Sequence, residues 1–520
     1  MKNLLNRLSL TSLTNTRLIL TIISCSIAII VILPLIELVE EALLGLKNST
    51  FGLGLDGGKQ VYGTVCLLLG TGLIGGTIGT VNGWLLANCR FPGRKVLRIT
   101  QLLPLATPSY LLSAILIDLG SIYSVRVHGM AWGILIMSLT TYPYVFLLSN
   151  ENFSISGKQQ LEACRSLGIG AWQSFWRIAL PMALPAIGTG IALMGMEVVN
   201  ELGAVQFLNI PSISAGIIEN WISNGNPSGA ITLAFIALII VMALIGYEKT
   251  LRGKSKRWSE GIEGGEAASW ELKGVRAILA QLIAAIPPLI TLGVPIIWSL
   301  INIEQINQGF NFELLILSLR SLGLALTAAF ITIIAAIILS LAKRWSKSSF
   351  IKYLTFLAGI GYAIPGAVLA IGLFTFSGPP FKLIPIILLL WGYGDRFLAV
   401  AKGGLDAAFE RTSPSLDEAA TNLGSGWRKV LFKIHLPLLK GPIGVGIILV
   451  FVDTLKELPL TFVLRPFDFD TLSVRIYQYA SDERMAESIL PAMIILIFGL
   501  IASASLIKNL DQRNTENKSI

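Results

Sequence analysis

The sequence predicts an all-α polytopic membrane protein of about 12 transmembrane helices, arranged as two parallel repeats of six. Three observations support this fold class. Only 14% of the 520 residues are charged and 53% are hydrophobic, whereas soluble domains carry about a quarter charged residues. Apolar stretches recur at the length of about 20 residues that crosses a bilayer. A polar motif of the first half also returns in the second half. A self-contained soluble enzyme is therefore excluded.

The apolar stretches form two groups of six, separated by a polar, glycine-rich segment. They cover residues 18–39, 62–87, 97–119, 129–149, 182–206 and 229–247, then 277–301, 318–342, 353–376, 383–403, 438–462 and 488–507. No small-residue cleavage site follows the first stretch, so we expect an uncleaved span. The predicted domains are a first repeat at 1–250, a cytoplasmic linker at 251–275 and a second repeat at 276–520.

The net charge of +9 orients the chain in the bilayer and does not indicate a nucleic-acid partner. If the N-terminus is cytoplasmic, the segments on that side contain 31 of the 40 Lys and Arg residues, against eight on the opposite side. Cytoplasmic segments of membrane proteins carry such an excess of basic residues. We therefore expect both termini in the cytoplasm.

The internal repeat has a constant shift of 256 residues. Residues 162–170 return as 418–426, and the same shift carries Pro181 onto Pro437 and Glu201 onto Glu457. Because six predicted helices separate the two copies, both copies lie on the same side of the membrane. The repeat is therefore parallel, and the charge distribution places both copies in the cytoplasm.

Each copy of the motif lies between the fourth and fifth predicted helices of its repeat. In the second copy, Asp417 and Glu418 lie in the first turn of a short helix, where the helix dipole stabilises acidic side chains. Gly424 and Gly426 end that helix, and a second helical stretch enters the membrane at Pro437. We therefore expect a helix–turn–helix at the membrane surface in each repeat.

These residues resemble the EAA loop of importer-type ABC transporter permeases: Glu-Ala-Ala, a later glycine and an Ile-x-Leu-Pro ending. The match is complete in the second repeat, while Cys164 replaces the second alanine in the first. In that family the loop docks on a nucleotide-binding ATPase. The resemblance implies this coupling role for Glu162, Ala163, Gly168, Pro181, Glu418, Ala419, Gly424 and Pro437.

Residues 453–459 and 464–482 narrow the resemblance to the fused two-repeat permeases of ferric iron importers. This resemblance implies a multi-pass permease of the bacterial inner membrane that has no enzymatic activity. Its implied partners are two copies of an ATPase subunit inside and a periplasmic ferric-binding protein outside. It also implies that this chain holds no cofactor, since ATP and Mg²⁺ are used by the ATPase.

Ionisable residues lie inside the fifth apolar stretch of each repeat, and such residues mark either a transport pathway or a pairing. Asp453, Lys456 and Glu457 share one helix face, as do Glu197 and Glu201. At ~1.5 Å per residue from the cytoplasmic prolines, they lie near the outer ends of their helices. They could form an acidic mouth for a cation, with a net charge of −3. Alternatively they pair structurally, Asp453 with Lys456.

A catalytic or metal site is not indicated by the sequence. Gly253-Lys254-Ser255 resembles the end of a P-loop, but Glu248 stands where that motif needs its first glycine. The cysteines and histidines lack ligand spacing, so any metal site is unknown. Two alternative functions stay open: an ABC permease for thiamine, a polyamine, phosphonate or sulfate, and a 12-helix secondary carrier.

Overall fold

The structure is a computed structural model that describes residues 2–47, 52–53, 56–155, 158–259, 270–304, 311–346, 348–377, 384–413 and 415–516. Helices dominate this part of the chain, which confirms the predicted all-α class. In chain order, the longer helices are Lys2–Lys47, Gly57–Asn88, Arg94–Thr100, Ser109–Ile122, Met130–Ile155, Lys158–Ser166, Leu180–Asn200, Pro227–Ser259, Val275–Pro288, Val294–Ile301, Phe312–Trp345, Ser349–Leu357, Gly366–Phe376, Pro385–Arg411, Ser415–Asn422, Leu436–Lys456, Leu472–Ser481 and Met485–Glu516.

Shorter elements connect these helices. One-turn helices are Ala171–Ser174, Gly203–Phe207, Ile213–Ile218, Trp427–Val430 and Pro459–Leu464, and 3-10 turns are Leu103–Ala106 and Ile360–Ala363. Turns of π-helix occupy Phe175–Ala179, Glu219–Ser223, Leu289–Gly293 and Leu431–His435. The described strands, Cys89–Arg90 and Trp270–Glu271, pair in parallel.

The described residues contain fewer complete spans than the predicted 12. Eight helices are long and apolar enough to cross a membrane, and two bent helix pairs raise this number to ten. The predicted stretch 383–403 forms the helix Pro385–Arg411, but three charged residues, Asp395, Arg396 and Lys402, interrupt its apolar sequence. The last predicted stretch, 488–507, lies in a helix whose apolar described part is Glu487–Ile501.

The two bent pairs replace single predicted spans. Arg94–Ala106 and Ser109–Ile122 meet at 89°, and Ser349–Ala363 and Gly366–Phe376 meet at 113°. Pro108 and Pro365 lie at the two bends. Proline lacks an N–H donor and keeps the preceding residue out of helical conformation, so each apolar stretch breaks there.

The chain forms two compact units that differ from the two sequence repeats. The first-repeat unit contains Gly45–Leu315 and Ser473–Ser503, and the second-repeat unit contains Met1–Leu44, Ile316–Leu472 and Ala504–Ile520. The first helix of each repeat thus belongs to the unit of the other repeat. The domain division at 1–250, 251–275 and 276–520 follows the repeats and stays a prediction; residues 260–269 of the linker lie outside the described residues.

Specific contacts hold each exchanged helix in its unit. In the first-repeat unit, Gln101 Nε2 donates to Ala284 O at 2.6 Å, and Trp298 Nε1 donates to Asp118 Oδ2 at 2.6 Å. In the second-repeat unit, Trp391 Nε1 donates to Ile30 O at 3.2 Å. Apolar burial supplies the rest, since Leu38 and Ala284 are both fully buried.

Candidate functional site

The helix–turn–helix predicted in each repeat is present in the structure. In the first loop, defined as residues 158–181, the helix Lys158–Ser166 is followed by a turn at Gly168, whose φ is +74°. Ile169 N donates to Cys164 O at 2.9 Å, and Gly168 N donates to Arg165 O at 3.0 Å. This pair of bonds is a Schellman motif, which satisfies the last carbonyls of a helix and favours glycine.

The second loop, residues 415–437, has the same geometry. Gly424 has a φ of +77° after the helix Ser415–Asn422. Ser425 N donates to Ala420 O at 3.0 Å, and Gly424 N donates to Thr421 O at 2.9 Å. A Cβ at Gly168 or Gly424 would meet nothing within 4 Å, so it is the backbone conformation that requires glycine.

Each loop continues into a long membrane helix without interruption. Ala171–Asn200 and Trp427–Lys456 each form one apolar span of 30 residues that starts inside its loop. Pro181 and Pro437 are the second residues of Leu180–Asn200 and Leu436–Lys456, and each follows a turn of π-helix. Proline lacks the N–H that a continuous α-helix would pair, and the hydrogen-bond pattern changes from π to α at this place. Each loop is therefore joined to a membrane helix by continuous helical backbone.

The turn of each loop presents an exposed surface that includes a large apolar side chain. Glu162, Ala163, Glu418 and Ala419 are exposed. Leu167 is 77% exposed and Leu423 is 86% exposed, each one residue before its glycine. Further exposed apolar side chains on the two loops are Trp172, Trp176 and Phe432. Grouped exposed apolar side chains mark a surface that contacts either lipid or a partner protein.

The repeated glutamates cap the helices that follow them. Glu201 Oε1 accepts from Ala204 N at 2.9 Å, and Glu457 Oε1 accepts from Leu460 N at 3.0 Å. Each long helix ends at the residue before its glutamate, and the carboxylate satisfies an unpaired N–H of the next short helix. Glu201 also accepts from Ser109 Oγ.

Arg396 is a buried charged residue of this region that sequence reasoning missed. Its Nε lies 3.2 Å from Glu457 Oε2, and the two side chains are only 4% and 5% exposed. Arg396 Nη1 also donates to Ile364 O at 3.2 Å. Its position inside the predicted stretch 383–403 could have indicated this pairing, because a charged residue within a membrane span usually has a partner of opposite charge.

The remaining predicted pathway residues are half-buried. Lys456 Nζ lies 2.9 Å from Asp453 Oδ1, which is the structural pairing that the sequence left open. With Arg396 included, the second-repeat unit holds two carboxylates and two cations here, so the −3 sum overstates its acidity. Glu197 and Glu201 supply the net negative charge of the first-repeat unit's group. A pathway role for these residues stays a prediction.

A preformed metal site is not found among the described residues, where no three His, Cys, Asp or Glu side chains are grouped to hold an ion. His435, the histidine of the second loop, is 1% exposed and lies beside Asp417 alone among the acidic residues described.

Comparison with known proteins shows which family the chain resembles along most of its length. Residues 79–247 and 333–516 each match the family described as binding-protein-dependent transport system inner membrane component. The chain is 25% identical over 498 residues to the Fe(3+)-transport system permease protein FbpB 2 of Haemophilus influenzae, which covers 92% of this chain and 96% of that protein.

Shorter similarities link the chain to permeases named for sulfate and for molybdenum transport. The sulfate transport system permease protein CysT of Escherichia coli is 31% identical over 147 residues, covering 26% of this chain and 53% of that protein. The molybdenum transport system permease protein ModB of Escherichia coli is 27% identical over 188 residues, covering 32% and 80%. With two matched segments that together span most of its length, this chain belongs to the family of inner membrane permease components of binding-protein-dependent transport systems.

Proposed function

We propose that this chain is the permease subunit of an ATP-driven importer for ferric iron, with both termini in the cytoplasm. The observation that carries the proposal is the pair of exposed loops with one shared geometry, each continuous with a membrane helix. Two copies of a separate ATPase subunit would dock on these loops and use ATP and Mg²⁺. A periplasmic ferric-binding protein would deliver the substrate from the other side.

The proposed coupling is mechanical. Closure of the ATPase dimer would draw the two loops together, and the attached helices Leu180–Asn200 and Leu436–Lys456 would carry this movement to the outer ends. There the capping glutamates Glu201 and Glu457 join each long helix to the next short one. The exposed Glu162 and Glu418 would form charge-assisted hydrogen bonds to the ATPase.

Ferric iron is favoured as substrate because the relative named for Fe(3+) transport aligns over 92% of this chain. The permeases named for sulfate and molybdenum align over only 26% and 32%. A tetrahedral oxyanion is the second candidate, supported by the relatives named for sulfate and molybdenum.

Uptake of radiolabelled ferric iron should fall to background in cells that lack this chain and return when it is restored. Uptake should also stop on ATP depletion and survive collapse of the proton gradient, because a separate ATPase supplies the energy. Parallel assays with labelled sulfate and molybdate separate the two substrate classes. Uptake that follows the proton gradient would contradict the proposal and support a secondary carrier.

Glu201→Gln is expected to lower iron uptake while leaving co-purification of the ATPase unchanged. Glutamine keeps an oxygen that accepts from Ala204 N, so the helix cap persists and only the negative charge is lost. The loss of this charge would weaken the electrostatic attraction of a multivalent cation. Glu201→Ala serves as the comparison that removes both charge and cap. Normal uptake by the glutamine variant would remove Glu201 from the substrate pathway.

A further inference from the structure

The two loops contact the helices of their own units through different kinds of side chains, aromatic and apolar in the first repeat and charged in the second. The repeat aligns them residue for residue, yet the shift of 256 carries Asn88, Leu161 and Ala179 onto Arg344, Asp417 and His435. An apolar attachment in the first repeat thus corresponds to a charged one in the second. Phe153 and Phe409 occupy equivalent positions in both attachments.

Arg344 holds the second loop. Its Nε donates to Asp417 Oδ2 at 2.8 Å, which ties the last turn of Phe312–Trp345 to the helix Ser415–Asn422 of the loop. The same guanidinium donates to Phe409 O at 2.9 Å, Thr412 O at 3.0 Å and Ser413 O at 3.2 Å. One planar side chain therefore binds the loop helix and the end of Pro385–Arg411 at once.

His435 closes this attachment from the far end of the loop. Its Nε2 lies 3.0 Å from Asp417 Oδ1, so the carboxylate faces Arg344 on one oxygen and His435 on the other. The imidazole ring also packs against Trp345 and Phe409, with ring centroids 5.7 and 5.3 Å away. The Arg344 side chain is only 9% exposed. Loss of one partner would leave a charge in a poorly hydrated place.

Aromatic packing holds the first loop. Leu161 and Ala179 are buried in a cluster with Trp84, Phe153 and Phe175. Trp84 packs edge-on against Phe153, with ring centroids 5.5 Å apart. Asn88 Nδ2 adds one hydrogen bond to Phe153 O at 3.2 Å.

Trp270, which comes from the predicted linker, completes the first attachment. Its ring packs on Trp84 at 5.7 Å, and its Nε1 donates to Ile169 O at 3.1 Å. Ile169 directly follows Gly168, so this bond reaches the turn of the loop itself. The paired strands keep Trp270 in place, since Leu272 N donates to Arg90 O at 2.9 Å. Trp270 is partly buried, and a tryptophan whose N–H is hydrogen-bonded contributes both apolar packing and a directional contact.

We infer that Trp270 is the positioning residue of the first loop and that Arg344 with Asp417 positions the second loop. A linker residue therefore positions the first loop, whereas an ion pair positions the second loop. Each loop can be loosened without the other, because the two attachments share no residue. The consequence for transport rests on the proposed docking of the ATPase, but the separate attachment itself does not.

The test measures the mobility of each loop separately in purified permease without any ATPase. Cys25, Cys66, Cys89 and Cys164 are replaced by alanine, and a spin label is attached through L167C or through L423C, both at exposed positions. Trp270→Ala should abolish the immobilised spectral component of the L167C label and leave that of L423C unchanged. Asp417→Ala should do the reverse. Mobilisation of both labels by either variant, or of neither label, would overturn the inference.

Conservative variants cover the case in which an alanine variant does not fold. Trp270→Phe keeps the ring and loses the N–H donor, while Arg344→Lys keeps the charge and loses the planar fork. Each should give a partial effect on its own loop only, and a uniform effect on both loops would count against the inference.

A second measurement separates this inference from the proposed function. The same two positions carry a photo-crosslinker in complexes purified with their ATPase. Crosslinks from both loops in the otherwise unchanged chain support docking, and their absence refutes the proposed function while the spin-label result still decides the attachment. Trp270→Ala should then abolish the first crosslink alone and Asp417→Ala the second alone.

Discussion

Glu457→Gln is expected to destabilise the second-repeat unit by about 3–5 kcal/mol, because it leaves the buried guanidinium of Arg396 without its anion. Glutamine retains an oxygen that accepts from Leu460 N, so the loss of stability measures removal of the charge and not removal of the helix cap. Glu201→Gln is the matched variant in the other repeat, where Ser109 and a backbone N–H are the partners and the expected loss is about 1 kcal/mol. Denaturant unfolding of the purified protein in lipid nanodiscs measures both.

A double replacement provides the control for this prediction. Arg396→Met combined with Glu457→Gln removes both charges and keeps the oxygen that accepts from Leu460 N, and neutral replacements of both members of a buried pair are often tolerated. We therefore expect the double variant to recover most of the stability that either single variant loses. Equal stability of the Glu457→Gln and Glu201→Gln variants would show that the ion pair does not hold this part of the unit.

Gly424→Val is expected to release the ATPase from the second loop and so lower the amount that co-purifies with the permease. Gly168→Val together with Gly424→Val should abolish co-purification, because both loops then lose their turn. Both glycines have positive φ values, +74° and +77°, and an L-residue there costs roughly 1–2 kcal/mol. A β-branched side chain would open the Schellman turn and move Leu423 and Glu418 out of position. Pull-down of the ATPase from solubilised membranes, with total permease quantified, measures the effect.

Two substitutions separate backbone strain from added bulk. Gly424→Asn should retain the ATPase, since asparagine tolerates the left-handed conformation. Gly426→Ala should also retain it, because Gly426 has a φ of −69° and an added Cβ would meet nothing within 4 Å. If the valine variants at both turns keep the ATPase bound, these loops are not the docking surface.

Hydropathy predicted where the apolar stretches lie better than how they cross the membrane. The stretches 97–119 and 353–376 read as single spans, yet the structure bends them by 89° and 113°. Pro108 and Pro365 could have signalled these breaks. Proline also occurs inside unbroken helices such as Met130–Ile155, however, so composition alone does not separate the two outcomes.

The intramembrane charges show a second limit of sequence reasoning. The i, i+3 spacing of Asp453 and Lys456 suggested their pairing, and the structure contains it. The partner of Glu457 lies 61 positions earlier in the chain, at Arg396. No local spacing rule connects two residues on different helices, so the charge sum of −3, which left out Arg396, overstated the negative charge around Glu457.

Local chemistry was sufficient to establish the helical membrane class, the duplicated loop and the glycine at each turn, because apolar length and left-handed backbone conformation depend on neighbours in the chain. Tertiary packing alone decided that each repeat's first helix belongs to the other unit, that Arg396 neutralises Glu457, and that Trp270 reaches the turn at Ile169. These contacts join distant segments, and their free energy depends on which surfaces the folded helices bury together.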